Sequence, residues 1–205
     1  MNKLIDILKR YGIAGFLYKV ILRIGKSVGI TYFKHLGYFK SLPPTIDGHS
    51  LPLYHKMTMN DFRKQAEFDP QQWFNNYKLK QIERFINEPG FTYYGIYEGE
   101  KLTCYGGLSV DYDNFINRKI DEQAAYLFDD YTNPLYCGKG LHKKIIDIRE
   151  YEAKCLNKSI TFAYVSSVNR ASAKGFKRCG YVPRLKLIYK RIGKSKPLER
   201  NIVKI

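Results

Sequence analysis

No apolar run in this 205-residue chain approaches the roughly 20 residues that a membrane-spanning helix needs. The four cysteines, Cys104, Cys137, Cys155 and Cys179, are widely spaced and form no CxxC pair, which argues against a zinc site and against a disulfide framework. A reduced, cytoplasmic protein is the simplest expectation, at most peripheral to the inner membrane surface. His35, His49 and His55 have no metal-ligand spacing, and no metal is expected. The N-terminus is charged and interrupted and shows no small-residue cleavage site, so it does not read as a signal peptide. Repeats, low-complexity segments and nucleic-acid reading motifs are missing too, and nucleic acid is not the expected partner.

Acidic residues are scarce: 19 Asp and Glu face 35 Lys and Arg, a formal charge of +16. Such an excess suits an anionic partner or substrate. The shortage is sharpest over residues 1–40, where Asp6 is the only acid. There Leu4, Ile5, Leu8, Ile13, Leu17, Val20, Ile21, Ile24 and Val28 recur at helical spacing, with Gly12, Gly15 and Gly25 as breaks. The expectation is a basic, helical N-terminal extension with its linker over 1–48. It would cover its apolar face against its own domain, against a second subunit in a homodimer, or on an anionic membrane surface.

Aromatics are plentiful, with 18 Tyr and 12 Phe, as suits a core containing β-structure. A folded domain is expected over 49–195 and a frayed basic tail over 196–205. Leu51–Met57 reads as a strand, and Thr58 or Asn60 as the cap of a helix over 61–67. Asp69-Pro70 reads as the start of a second helix, ended by Pro89-Gly90. Phe91–Tyr97 and Lys101–Asp111 read as a hairpin about Gly99. Gly106-Gly107 inside it suggests a bulge or a close approach to a ligand. Residues 114–121 read as loop and 123–132 as a strand.

Tyr131–Tyr151 organises the chain. Pro134 stops the strand, Gly138 and Gly140 open the backbone, and Leu141, Ile145, Ile148 and Ala153 then follow helical spacing. A helix start has unpaired N–H groups and a positive dipole end, so a glycine loop there can hold a phosphate. Beyond it lie a strand over 160–166, a short helix from Asn169 to Cys179, and a last strand over 184–192.

Two motifs on this layout resemble the GNAT superfamily of acyl-CoA-dependent N-acyltransferases. One is Cys137-Gly138-Lys139-Gly140-Leu141-His142, similar to the family's pyrophosphate loop, with Cys137 where Arg or Gln is usual and His142 where Gly or Ala is usual. The other is Asn169, Ser172, Phe176, Gly180 and Tyr181, which keeps the family's spacing but puts Phe176 where a tyrosine is usual. The resemblance implies an α+β fold, a three-layer arrangement with a mixed, mostly antiparallel central sheet flanked by helices. It implies acetyl-CoA or another acyl-CoA as donor and a small-molecule amine, anionic if the charge is a guide, as acceptor. Cofactor contacts would fall on Tyr131, Thr132, Cys137, Gly138, Lys139, Gly140, Leu141, His142, Asn169, Ser172 and Phe176.

In many members the motif tyrosine protonates the leaving thiolate, and Phe176 cannot. Tyr164 and Tyr131 are substitutes, with Tyr164 taken as the catalytic candidate. For a base, Glu122, Asp129 and Asp130 compete, while spacing puts Tyr126 at the family's usual position; Asp130 is preferred. A catalytically weak acyl-CoA-binding sensor or scaffold, or a peripheral membrane binder, are the alternatives. Trp73, Tyr77 and Tyr105 are candidates for the acceptor pocket.

Overall fold

A computed structural model describes residues 17, 20, 21, 30–68, 73–192 and 199–205. The fold is mixed α+β with a mostly antiparallel sheet and helices, four of them with both ends among the described residues. No helix among the described residues is long and apolar enough to cross a membrane. The chain divides into two compact units, residues 40–162 and residues 1–39 with 163–205.

In the unit 40–162, β2 (His55–Met57), β3 (Phe91–Glu98), β4 (Lys101–Ser109) and β7 (Ala124–Thr132) pair antiparallel in the order β2-β3-β4-β7. Strand β2 is shorter than the expected 51–57. The β3–β4 hairpin turns at Gly99, with φ +58°. Helix α1 (Met59–Glu67) opens on a capping box: the Thr58 hydroxyl oxygen accepts from the Asp61 N–H at 3.4 Å, and the Asp61 carboxylate accepts from the Thr58 N–H at 2.7 Å. Helix α2 (Asn76–Ile86) is capped by the Asn75 side chain, which accepts from Lys78 N–H at 3.0 Å. The expected start at Asp69-Pro70 lies outside the described residues. Phe62 of α1 and Ile82 of α2 are fully buried and pin these helices to the core. The stretch 114–121, expected as loop, includes β6 (Arg118–Lys119), which pairs in a small hairpin with β5 (Tyr112–Asp113) just before it. Buried Asp113 stabilises its turn by accepting from the N–H groups of Phe115 and Ile116.

Helix α3 (Leu141–Cys155) buries Ile145, Ile146, Ile148 and Ala153 completely and packs on β4, β7 and β3. The helical spacing read from the sequence supplies that face.

In the other unit the strand order is β10-β9-β1-β8, from β10 (Glu199–Lys204), β9 (Val182–Ile192), β1 (Ile30–Ser41) and the part of β8 (Ile160–Ser166) that begins at Ala163. Two expectations are corrected here. The helical extension does not run to the linker, because Ile30–Ser41 is a strand antiparallel to β9. A β-branched and aromatic run such as Ile-Thr-Tyr-Phe fits a pleated surface better than a helix. Leu17, Val20 and Ile21 are helical and exposed, and the other residues before 30 lie outside the described residues. The tail does not fray over its last residues either, since Glu199–Lys204 pairs with β9. Helix α4 (Arg170–Arg178) ends as expected at Gly180, with φ +85°. The Tyr181 N–H donates to Phe176 C=O at 3.1 Å and the Gly180 N–H to Lys177 C=O at 3.0 Å, the paired closure of a Schellman motif.

Candidate active site

The loop between β7 and α3 begins with a single 3-10 turn, Pro134–Tyr136. Asn133 caps it, its side-chain oxygen accepting from Leu135 N–H at 3.0 Å. Gly138 and Gly140 then take φ of +85° and +74°, and no atom lies within 4 Å of where a Cβ would stand on either. These left-handed turns lift the backbone clear of its surroundings. The N–H groups of Gly138, Lys139, Gly140 and Leu141 have no hydrogen-bond partner among the described residues. Gly140 caps α3 without a side-chain bond, and the first turn of α3 holds no acid. It holds Lys143, which pairs with Asp147 at 2.6 Å, and Lys144, cations placed against the helix dipole. The Lys139 ammonium sits 4.8 Å over the Tyr136 ring. Exposed Cys137 points its thiol back at Asn133 C=O, 3.8 Å away.

Beneath the loop, Asp130 is engaged from two sides. Its Oδ1 is 2.5 Å from Arg149 Nη1 and its Oδ2 is 3.1 Å from His142 Nε2. Arg149 is wholly buried and also donates to the carbonyls of Ile145 and Gly107, each at 3.0 Å. A Cβ on Gly106 would stand 2.6 Å from the guanidinium carbon, and one on Gly107 would stand 2.4 Å from the Phe128 ring. The glycine pair therefore makes room for two protein side chains, not for a ligand. Burial alone would raise the Asp130 pKa, but the charge of Arg149 and the hydrogen bond with His142 outweigh it and hold the carboxyl below its ordinary value. A carboxylate so engaged is a weak proton acceptor.

Its neighbour Asp129 faces the other way. Asp129 and Asp130 together oppose Gly106 in a β-bulge, and Asp129 has φ +54°. It pairs with the Lys78 ammonium and accepts from the Tyr93 hydroxyl at 3.0 Å. Burial and this carboxylate both push the Tyr93 phenol pKa up. Nothing in the sequence links Lys78 to Asp129, 51 positions apart, so this pair was missed.

Trp73, Tyr105 and Tyr131 do come together. Trp73 stacks on Tyr131 at 4.8 Å and its indole N–H donates to the Tyr105 hydroxyl at 3.4 Å. Tyr77 does not join them; it is 80 % exposed. Thr132 pairs with Cys104 at the end of β7. Tyr126 is buried and stacks on Phe162 at 5.2 Å. Beside the loop, a cleft of about 450 Å³ lies between the segment after β1 and the first half of α3, lined by Lys40, Asp47, Lys143, Lys144, Asp147 and Glu150 among others.

The second motif belongs to the other unit. The Asn169 side-chain oxygen accepts from Ser172 N–H at 3.2 Å and caps α4. Phe176, expected at the cofactor, is only 2 % exposed; it stacks on Tyr38 and meets the edge of Tyr181, so its role is packing. Tyr164 is half-buried on β8, its ring close to Gly37.

Residues 53–181 match the acetyltransferase (GNAT) family, more than half of the chain, and the chain belongs to that family. Among solved structures it is similar to a GNAT-family protein from Novosphingobium aromaticivorans, with a TM-score of 0.57 and 16 % identity over 82 % of this chain and 67 % of that one. It is also similar to a GNAT-family acetyltransferase from Colwellia psychrerythraea, with a TM-score of 0.54 and 15 % identity over 87 % of this chain and 62 % of that one. A conserved protein of unknown function from Staphylococcus epidermidis gives 0.57 at 10 % identity, over 86 % and 67 %. This chain thus spans about two thirds of the length of these structures. No curated protein matches its sequence.

Proposed function

We propose that this protein transfers an acyl group, acetyl in the first instance, from acyl-CoA to the amine of a small acceptor. One observation carries the reading: four unpaired amides at Gly138–Leu141, set where a coil becomes α3, with Lys143 and Lys144 in the turn that follows. They suit a diphosphate, which takes backbone N–H donors and favours a helix start. The neutral amine attacks the thioester carbonyl, a C–N bond forms, the C–S bond breaks, and the thiolate leaves. The amine's proton must pass to a base or to water, and the thiolate must gain one. Phe176 has no hydroxyl and cannot supply that proton. Asp130 we assign to holding His142 at the start of α3, not to proton transfer.

The measurement is calorimetry with acetyl-CoA, followed by thiol release across a panel of amines. Absence of cofactor binding at millimolar concentration would overturn the assignment. Tight binding with no turnover would leave the second reading, a CoA-binding sensor, which the engagement of Asp130 and the burial of Phe176 favour.

A further inference from the structure

The charge of the chain is unevenly placed. Residues 1–39 and 163–205 carry 19 of the 35 Lys and Arg and 2 of the 19 Asp and Glu, Asp6 and Glu199. Residues 40–162 carry 16 and 17. The whole excess of +16 therefore belongs to the unit that does not contain the glycine loop.

The described residues of that unit show how the charge is displayed. Arg170, Lys174, Lys177 and Arg178 are all exposed on α4, away from buried Phe176. Glu199 is the only acid, and it pairs with Lys190 at 3.1 Å. Registers across β1, β9 and β10 place three rows on one face of the sheet: Tyr32–Lys190–Glu199, Lys34–Ile188–Asn201 and Leu36–Lys186–Val203. Cations alternate with apolar groups along it, and Tyr32 and Val203 are 42 % and 46 % exposed. The same unit contains helical Leu17, Val20 and Ile21, exposed at i, i+3 and i+4.

From this pattern we infer that the unit formed by residues 1–39 and 163–205 docks on an anionic phospholipid surface. Lysines draw such a surface in, and the apolar groups between them gain by entering the headgroup boundary. A nucleic-acid backbone would satisfy the lysines and leave Val203, Val20 and Ile21 in water. Residues 1–29 add six Lys and Arg against one acid, Asp6, to the charge of this unit. The inference is independent of the acyltransferase reading.

The test is co-sedimentation of the full chain with phosphatidylcholine vesicles, with and without phosphatidylglycerol, across a salt series. Binding should require the anionic lipid and weaken as salt rises. Lys186→Gln with Lys190→Gln should lower partitioning on the order of 25-fold. Val203→Ser, a milder change on an exposed strand, should lower the part of the binding that survives salt. Equal binding to both vesicle types would overturn the inference. So would unchanged binding by the lysine variant, or an oligonucleotide that binds more tightly than the anionic vesicles.

Discussion

Helices α1 and α3 begin in opposite ways. At α1 the chain closes its own end: Thr58 and Asp61 exchange hydrogen bonds with each other's backbone, and an acid sits in the first turn. At α3 the end stays open, with a left-handed glycine for a cap, no acid, two lysines and a row of unpaired amides. What secures α3 comes from below, through His142, Asp130 and Arg149. A helix start built for stability alone would look like the first. The second gives up capping energy and keeps its donors outward, the trade expected where an anion is bound.

The largest effect should come from the buried support. Arg149→Met leaves Asp130 buried without its cation and should cost about 3–5 kcal/mol in urea unfolding. The Asp130 pKa is lowered in the fold, so its contribution is present above the unfolded value and is lost as pH falls through the acid range. Asp130→Asn should flatten that acid limb of the stability curve. Opening the comparison at the loop, Gly140→Ala forces a side chain into φ +74°. It should weaken acetyl-CoA binding at least tenfold by calorimetry for a stability loss of about 1 kcal/mol. Thr58→Ala should cost about 1 kcal/mol and leave cofactor affinity unchanged. The smallest and most discriminating is Lys144→Glu. Restoring an acid to the first turn of α3 should stabilise the fold by a few tenths of a kcal/mol while weakening the cofactor, so thermal shift and calorimetry should move in opposite senses.

What the sequence made legible was local. The glycine loop, the face of α3, the Gly99 hairpin and the Gly180 stop are each written within about a dozen residues, where spacing and turn chemistry act directly. What it did not show depends on partners far along the chain. Burial of Arg149 depends on Gly106, 43 positions back, whose missing Cβ leaves room for the guanidinium, and on the Gly107 carbonyl that accepts from it. Strand β1 was hidden because its partner β9 lies about 150 residues downstream. Asp129 and Asp130 both stood as candidate bases, with Asp130 preferred; only the fold gives one to Lys78 and Tyr93 and the other to Arg149 and His142.

The bulge in β7 sets the parity of the strand. Phe128 opposes Gly107 and Tyr131 opposes Tyr105, so two residues three apart share the aromatic side that also holds Tyr93. In a regular strand they would lie on opposite sides. Losing a single residue there would exchange sides for everything after it, turning Tyr131 away from Trp73 and re-aiming the strand end that feeds the loop. The spacing between the strand and its glycines is thus a count that an insertion or deletion of one residue cannot leave unchanged.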